Sequence, residues 1–323
     1  MKKFHIGFFE HRKIYFAISI GIMLVGLIFN FIYGTQLDIK FTGGAVIKYS
    51  YTGTVDQEDV QRIVQQTTDK PVTVTVSKDV KKTGNSAKNN VSLSFAGTES
   101  LSLEKQQAVA ADLAKEYPNA HFTVVESNSI NPVMGRDFLL KCVISIVIAF
   151  LLLIIYIALR FKKIGGASAG AMAIIALLHD VLMVYFTFII FRMPLNDNFI
   201  AVVLTILGYS LNDTIIIYDR IRENRRLMGP RTEYSVLVDT SINQTFTRSV
   251  YTASCTFLSI ATVFVVGAIF GLDTVKTFAL PMMVGIVTGC YSSVCIAGPL
   301  YVMWQNHKAK QRLENVPAKK SKK

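Results

Sequence analysis

The sequence is poor in charged residues, and this shortage excludes several classes of protein. Charged side chains make up 17% of the 323 residues, whereas a soluble globular domain carries about 25%. Lysine and arginine still exceed aspartate and glutamate, so the formal net charge is +12 while 51% of the chain is hydrophobic. A basic nucleic-acid binder is normally rich in charge. We therefore exclude a soluble basic protein and expect no nucleic-acid partner.

Reactive cysteine patterns and nucleotide-binding motifs are also missing. The four cysteines lie in apolar runs without CxxC spacing, which is typical of small buried side chains rather than of disulfides or metal ligands. No GxxxxGK[ST] phosphate-binding loop occurs, so we do not expect the chain to hydrolyse nucleotide. The sequence predicts no cofactor, no metal and no enzymatic activity. If the protein performs work, we expect an ion gradient to supply the energy.

Long apolar runs are abundant, and six of them reach the length of about 20 residues that crosses a bilayer. They occupy residues 14–33, 138–159, 164–191, 199–218, 250–270 and 277–304. The first run follows a basic start and is too long for a signal-peptide core, so we expect an uncleaved anchor. Basic residues concentrate at both termini and in the connections 160–163 and 219–249. By the positive-inside rule these segments face the cytoplasm.

These patterns predict an α-helical polytopic membrane protein with an extracytoplasmic α+β domain between its first two spans. The predicted organisation is a cytoplasmic basic N-terminus (1–13), transmembrane helix 1 (14–33), the extracytoplasmic domain (34–137), transmembrane helices 2–6 (138–304) and a cytoplasmic basic tail (305–323). Within the domain, apolar spacing predicts strands at 45–51, 71–77, 91–96 and 121–126, helices at 55–68 and after Ser102, and a turn at 84–90. The order β-α-β-β-α-β is the ferredoxin-like arrangement.

Ionisable residues inside the spans indicate the functional site. A charged side chain at mid-bilayer costs roughly 2.5 to 3.5 kcal/mol, so such residues usually line an ion or substrate path. Asp213 lies in the fourth span, and Arg248 enters the fifth from the cytoplasmic side. We predict that Asp213 takes up and releases a proton with Arg248 as its partner. Two alternatives stay open, namely an inert ion pair that fixes helix register, and an Arg248 that reaches the interface without meeting Asp213.

A second polar site is predicted from His179 and Asp180 in the third span, together with Asn212 beside Asp213. Another alternative stays open, in which Asp180 and Asp213 share one proton as the two catalytic aspartates of an aspartic protease do. Their surroundings do not match the YD and GxGD motifs of intramembrane aspartyl proteases. Separately, GxxxG spacing at 166–170 and 285–289 predicts close helix packing.

The motifs around these residues resemble those of one family. Residues 208–224 read GYSLNDTIIIYDRIREN and resemble the fourth-span signature of the SecF branch of the SecD/SecF protein-export family. Similar segments are LLHDV at 177–181, INQTFTRSVYTAS at 242–254, FALPMMVGIVTGCYSSVCIAGPL at 278–300, FTGG at 41–44 and PVMG at 132–135. In the family an aspartate often directly precedes the FTGG-like motif. Here Lys40 holds that place, and Asp38 stands two residues earlier.

The resemblance implies half of an RND-type bundle in a bacterial cell membrane. It also implies a non-hydrolytic subunit that works with SecD and the SecYEG channel and uses the proton motive force to assist late translocation of a preprotein. Asp213 and Arg248 match the family residues implicated in proton transport. The competing hypothesis is an RND-type proton-coupled exporter of small molecules or lipids. Such exporters usually carry two membrane halves and larger outer domains.

Overall fold

Six long apolar helices form the membrane part of the molecule. The computed structural model describes residues 6–70, 72–77, 88–96, 102–130, 132–161, 165–229, 231–270 and 272–314. The helices are α1 (Arg12–Tyr33), α5 (Pro132–Arg160), α6 (Gly166–Ile190), α7 (Asp197–Leu227), α8 (Tyr234–Ile269) and a final helix built from α9 (Asp273–Ser292), a π-helical turn (Ser293–Ala297) and α10 (Gly298–Glu314). Their length and composition suit a bilayer crossing. The predicted six-span architecture is confirmed.

An α+β domain is inserted between α1 and α5. After a short helix α2 (Ile39–Thr42), it consists of β1 (Gly44–Thr52), α3 (Gln57–Thr68), β2 (Thr73–Ser77), β3 (Lys88–Ala96), α4 (Leu103–Glu116) and β4 (Thr123–Ile130). The antiparallel sheet has the order β2-β3-β1-β4, which confirms the ferredoxin-like prediction. Of the predicted turn at 84–90, residues 84–87 lie outside the described residues, as do 162–163 and the lysine-rich 319–323.

The domain has one core, beneath one face of its sheet. Alternate residues of β1 supply it, and Ile47, Tyr49 and Tyr51 are almost fully buried against α3 and α4. The two helices begin at capped positions, because the side chains of Asp56 and Ser102 accept hydrogen bonds from backbone N–H groups of the first turn.

Two of the helices are longer than the apolar runs that predict them. The segment 219–249, expected as a connection, is helical except near residues 228–233, because α7 runs to Leu227 and α8 starts at Tyr234. The cause is amphipathicity: Ile221, Leu237 and Ile242 are buried on one face, while the charged residues occupy the other face. A search for uninterrupted apolar runs misses helices of this kind.

Helices α6, α7 and α9 form the buried centre, and glycines let them approach closely. A Cβ placed on Gly285 would lie 2.6 Å from Ile206 of α7, and one on Gly289 would lie 3.1 Å from the Cβ of Ser210. A Cβ on Gly170 would lie 3.6 Å from Ile157 of α5. Both GxxxG segments therefore lie at helix contacts, as small residues do in membrane bundles.

The bundle has two chemically different ends. At the first end, the side chain of Asn243 hydrogen bonds to the backbone N–H and C=O of Ile6 at 2.9 and 2.8 Å. Arg160 pairs with Asp219 there at 2.9 Å, so the N-terminal segment and the α5–α6 and α7–α8 connections share this end. The α+β domain lies at the other end, where Asn198 of α7 donates to the backbone oxygen of Thr274.

A collar, defined here as residues 36–42 together with 195–197, attaches the domain to its end of the bundle. Leu37 and Leu195 form a parallel bridge, and Lys40 binds the Asp197 carboxylate at 2.9 Å. The FTGG segment follows: Gly43 and Gly44 have positive φ angles of 75° and 142°. A Cβ on Gly135 of α5 would lie 2.6 Å from the Gly43 nitrogen. The segment that enters the domain and the segment that leaves it therefore pack backbone to backbone.

Candidate proton site

Asp213 lies near the middle of α7 and is buried inside the bundle. Its side chain is 7% exposed. One carboxyl oxygen, Oδ1, accepts a hydrogen bond of 2.6 Å from the hydroxyl of Ser249 on α8. The other, Oδ2, is buried and has no hydrogen-bond partner. A half-satisfied carboxyl group is costly to bury, and this cost makes Asp213 a candidate site residue.

Arg248 does not form the ion pair with Asp213 that the sequence made plausible. Within the described part of the chain no nitrogen of Arg248 comes within 4.0 Å of a carboxylate oxygen, and its side chain is exposed. The residue that touches Asp213 is the next one along α8, Ser249.

Asn212 and Arg248 emerge on the same side of the α7–α8 pair. Each stands one position before the residue that makes the Asp213–Ser249 contact, which turns it about 100° away from that contact. Because α7 and α8 run antiparallel, these two rotations point to the same side. Asn212 is exposed, as are Gly208, Thr205 and Ala201 at helical spacing along α7. We call the surface formed by these four residues of α7 and by Arg248 of α8 the polar stripe.

The second polar site contains His179 and Asp180 but not Asn212. Asp180 is completely buried and His179 is 5% exposed. Oδ2 of Asp180 accepts hydrogen bonds from the hydroxyls of Ser210 at 2.6 Å and Ser292 at 2.7 Å. Nδ1 of His179 lies 3.1 Å from its Oδ1. The side chains of α6, α7 and α9 thus meet at one carboxyl group.

The geometry argues against the aspartic-protease alternative, in which Asp180 and Asp213 would share one proton. The carboxyl groups of Asp180 and Asp213 share no hydrogen bond and no partner among the described residues, since Asp180 is held by Ser210 and Ser292 and Asp213 by Ser249. Two aspartates that share one proton must touch each other or a common water.

Sequence reasoning missed the serines. Ser210, Ser249 and Ser292 are all buried and carry the contacts to the two aspartates. Two signals were present, because Ser249 follows Arg248 directly and Ser210 precedes Asp213 by one helical turn. Serine in a membrane helix usually bonds to its own backbone, as Ser259 does here, so neither signal identifies a site by itself.

Together, the fold and this site define a multi-pass membrane protein with buried protonatable groups in the centre of its bundle and an α+β domain attached at one end.

Comparisons with known proteins specify the family. The family described as "Protein export membrane protein SecD/SecF, C-terminal" matches residues 109–307. The protein translocase subunit SecF of Sebaldella termitidis is 32% identical over 94% of this chain and 93% of its own length. SecF of Acidaminococcus fermentans is 30% identical over 94% of this chain and 98% of its own. The chain belongs to the SecD/SecF protein-export family.

Fused relatives are also similar. The translocase subunit SecDF of Bacillus subtilis is 29% identical over 94% of this chain, which covers 39% of that protein. The crystal structure of SecDF from Thermus thermophilus, described as a translocon-associated membrane protein, superposes with a TM-score of 0.76 at 28% identity. The superposition covers 94% of this chain and 39% of the SecDF chain. This chain therefore corresponds to one part of those longer proteins.

Proposed function

We propose that this chain is a SecF-type subunit of a protein translocase, which assists late stages of polypeptide movement by coupling them to proton entry. The role is non-enzymatic. Relatives that match over nearly their whole length are named as translocase subunits. They support protein transport and do not favour the alternative of a small-molecule or lipid exporter.

The observation that carries the proton coupling is the environment of Asp213. A carboxyl group buried in the centre of a membrane bundle, with one oxygen unpartnered, is suited to gain and lose a proton as its surroundings change. Arg248 lies on the neighbouring helix α8, exposed and not bound to this carboxyl group. In the proposed cycle, movement of Arg248 towards or away from Asp213 changes the affinity of the carboxylate for its proton.

The polar stripe supports SecD as the membrane partner. An amide and an arginine turned out of a bundle at the depth of Asp213 are costly against lipid, so a second protein half is the natural cover. The small residues Gly208 and Ala201 would let a partner helix approach. The fused relative named SecDF is longer, and this chain covers 39% of it.

The proposed orientation places both termini in the cytoplasm and the α+β domain outside the bacterial cell membrane. The end with Arg160, Arg220, Arg222, Arg225 and Arg226 is the basic one, and basic segments stay inside. The domain, on the opposite side, would then contact polypeptide emerging from the SecYEG channel. The collar would pass movements of α6 and α7 to the domain.

The test of this function is gradient-dependent export with an Asp213→Asn variant. Inverted membrane vesicles that contain the chain, SecD and the channel are supplied with a preprotein, and the extra export produced by a proton gradient is measured. The proposal predicts that this increment is lost. The matched control is Asp219→Asn, the same substitution on the same helix at an ion pair that is one-third exposed, and it should keep the increment. An unchanged increment in Asp213→Asn at normal expression would overturn the proposal.

A further inference from the structure

His179 and Asp180, the pair that we call the dyad, are the buried titratable groups that the proposed function leaves unused. Nδ1 of His179 faces Asp180. The other ring nitrogen, Nε2, is buried and has no hydrogen-bond partner. Buried polar atoms in proteins are almost always satisfied, so this unpartnered nitrogen requires an explanation.

Burial of a charged carboxyl group is costly, and the contacts of Asp180 act in the opposite direction. Its Oδ2 accepts hydrogen bonds from the Ser210 and Ser292 hydroxyls. Nδ1 of His179 lies 3.1 Å from its Oδ1 and donates to it in the tautomer that carries the ring proton on Nδ1. Hydrogen bonds donated to a carboxylate stabilise its charge. With the ring proton on Nδ1, Nε2 of a neutral His179 carries a lone pair and is a free acceptor. The arrangement therefore has one open position, and that position accepts a proton.

No other charged group competes for this position within the described residues. The titratable side chains on the neighbouring elements include Tyr15 on α1, Tyr209 and Asp213 on α7, Cys290 and Tyr291 on α9, and Cys295 on the π-helical turn. None of them hydrogen bonds to the dyad. Tyr291 comes closest, with its ring centroid 6.3 Å from that of His179, and its hydroxyl donates instead to the backbone of Tyr15.

We propose that the dyad is a second proton-binding site of the bundle, in which Nε2 of His179 takes up a proton and the Asp180 carboxylate balances the resulting charge. The proton comes from hydronium in the aqueous phase: one of its O–H bonds breaks and leaves water, an N–H bond forms at the lone pair of Nε2, and no bond within the protein breaks. The charge of the dyad changes from −1 to zero. An uncompensated charge buried in an apolar bundle is more costly than a charge balanced by a partner, so the change in charge alters the stability of the surrounding packing.

The dyad lies beside a π-helical turn that also contacts α7. Ser292 is the last residue before the π-helical turn, and π turns are frequent at functional sites. The first residue of the turn, Ser293, lies 2.8 Å from the hydroxyl of Thr214 and donates to the backbone oxygen of Ser210. Protonation of the dyad would therefore act on the turn of α7 that carries Asp213. That consequence rests on the function proposed above, but the proton binding itself does not.

The test follows the imidazole of His179 directly. The full chain, labelled at its five histidines, is purified in lipid nanodiscs, and the ring resonances are followed by NMR as pH changes. The His179 signal is assigned by its loss in His179→Gln. The proposal predicts that the buried ring titrates at Nε2, that Asp180→Asn displaces this titration by lowering the proton affinity, and that Asp213→Asn leaves it in place.

A His179 ring that stays in one neutral form at every pH at which the fold persists would overturn the proposal. So would an unchanged titration in Asp180→Asn. If Asp180→Asn does not fold, Ser292→Ala replaces it. It removes a hydrogen bond that stabilises the charge of the Asp180 carboxylate, so it should raise the proton affinity and displace the titration in the opposite direction, towards higher pH. Because the readout is proton binding, its failure is separate from a failure of Asp213→Asn in the export assay.

The link to export is measured with His179→Gln in the vesicle assay. A proton site predicts that the pH profile of gradient-stimulated export shifts, whereas a merely structural role lowers its amplitude at every pH alike. An unshifted profile would remove the dyad from the export cycle.

Discussion

At the scale of single residues, the buried carboxylates are held by serine hydroxyls rather than by lysine or arginine. Asp213 is bound by Ser249, and Asp180 by Ser210 and Ser292. A direct pair with arginine would hold the carboxylate in its ionised form. A serine hydroxyl can donate to the ionised carboxylate or accept from the protonated one. Serine therefore suits a group that must pass between the two states.

Lys40, which stands where the family often has aspartate, has a definite partner in Asp197. The pair is about half exposed, and such pairs contribute roughly 0.2 to 1 kcal/mol. A double-mutant cycle with Lys40→Ala and Asp197→Ala, read by denaturant unfolding, should give a coupling energy in that range that falls with added salt. A coupling of zero at low salt would show that the contact does not stabilise the collar.

Asp38 gives the collar a dependence on pH. Burial raises the pKa of its carboxyl above the ordinary value and outweighs the opposing effects of the Lys40 backbone N–H and charge. The folded protein binds this proton more tightly than the unfolded chain does. The contribution of the group to folding stability is therefore present below its ordinary pKa and is lost as pH rises through the raised pKa. Asp38→Asn should therefore raise the unfolding midpoint at neutral pH.

The gain from Asp38→Asn should shrink as pH is lowered, because the wild-type carboxyl then becomes neutral too. Thermal unfolding over a pH series measures this convergence. A lower midpoint for the variant at neutral pH would contradict the expected sign.

The sequence identifies Asp213 and Asp180 because a buried charge is costly wherever it lies along a membrane helix. It cannot provide their partners. Whether Arg248 or Ser249 faces Asp213 depends on the rotation of α8, which tertiary packing determines. Asn212 illustrates the same limit, since it stands next to Asp213 in the sequence yet points out of the bundle.

At the scale of elements, the closest contact at the dyad is that of α9 with α7. Gly289→Val would place its first carbon 3.1 Å from Ser210 and push that residue away from Asp180. Such overpacking typically costs about 1 to 3 kcal/mol. Denaturant unfolding of the purified chain should show this loss, whereas Gly21→Val on α1, where nothing lies within 4 Å, serves as the control. Equal stabilities of the two variants would contradict a tight α7–α9 contact.

Whole elements are more predictable than their contacts. The β-α-β-β-α-β order follows from alternating and helical spacing, because the domain has one buried face and each strand must alternate. The lengths of α7 and α8 do not follow from hydropathy. Beyond the apolar run their buried residues are spaced along one face, and the two helices bury those faces together.

At the scale of the whole molecule, the chain alone leaves the polar stripe uncovered. Gly208 lies in the stripe, and a Cβ there would meet nothing within 4 Å in this chain. Gly208→Leu should therefore leave the free energy of unfolding of the isolated chain within about 0.5 kcal/mol of wild type, as is usual for surface substitutions. It should reduce co-purification with SecD from membranes. Undiminished co-purification would place the SecD contact on another face.

The central claim is that Asp213 carries protons, and proton flux tests it most directly. Proteoliposomes that contain the chain and SecD are loaded with a pH-sensitive dye, a gradient is imposed, and the rate of proton entry is recorded. The wild-type chain and Asp219→Asn should conduct protons alike, and Asp213→Asn should reduce entry to the level of empty liposomes. Wild-type flux through Asp213→Asn would contradict the account.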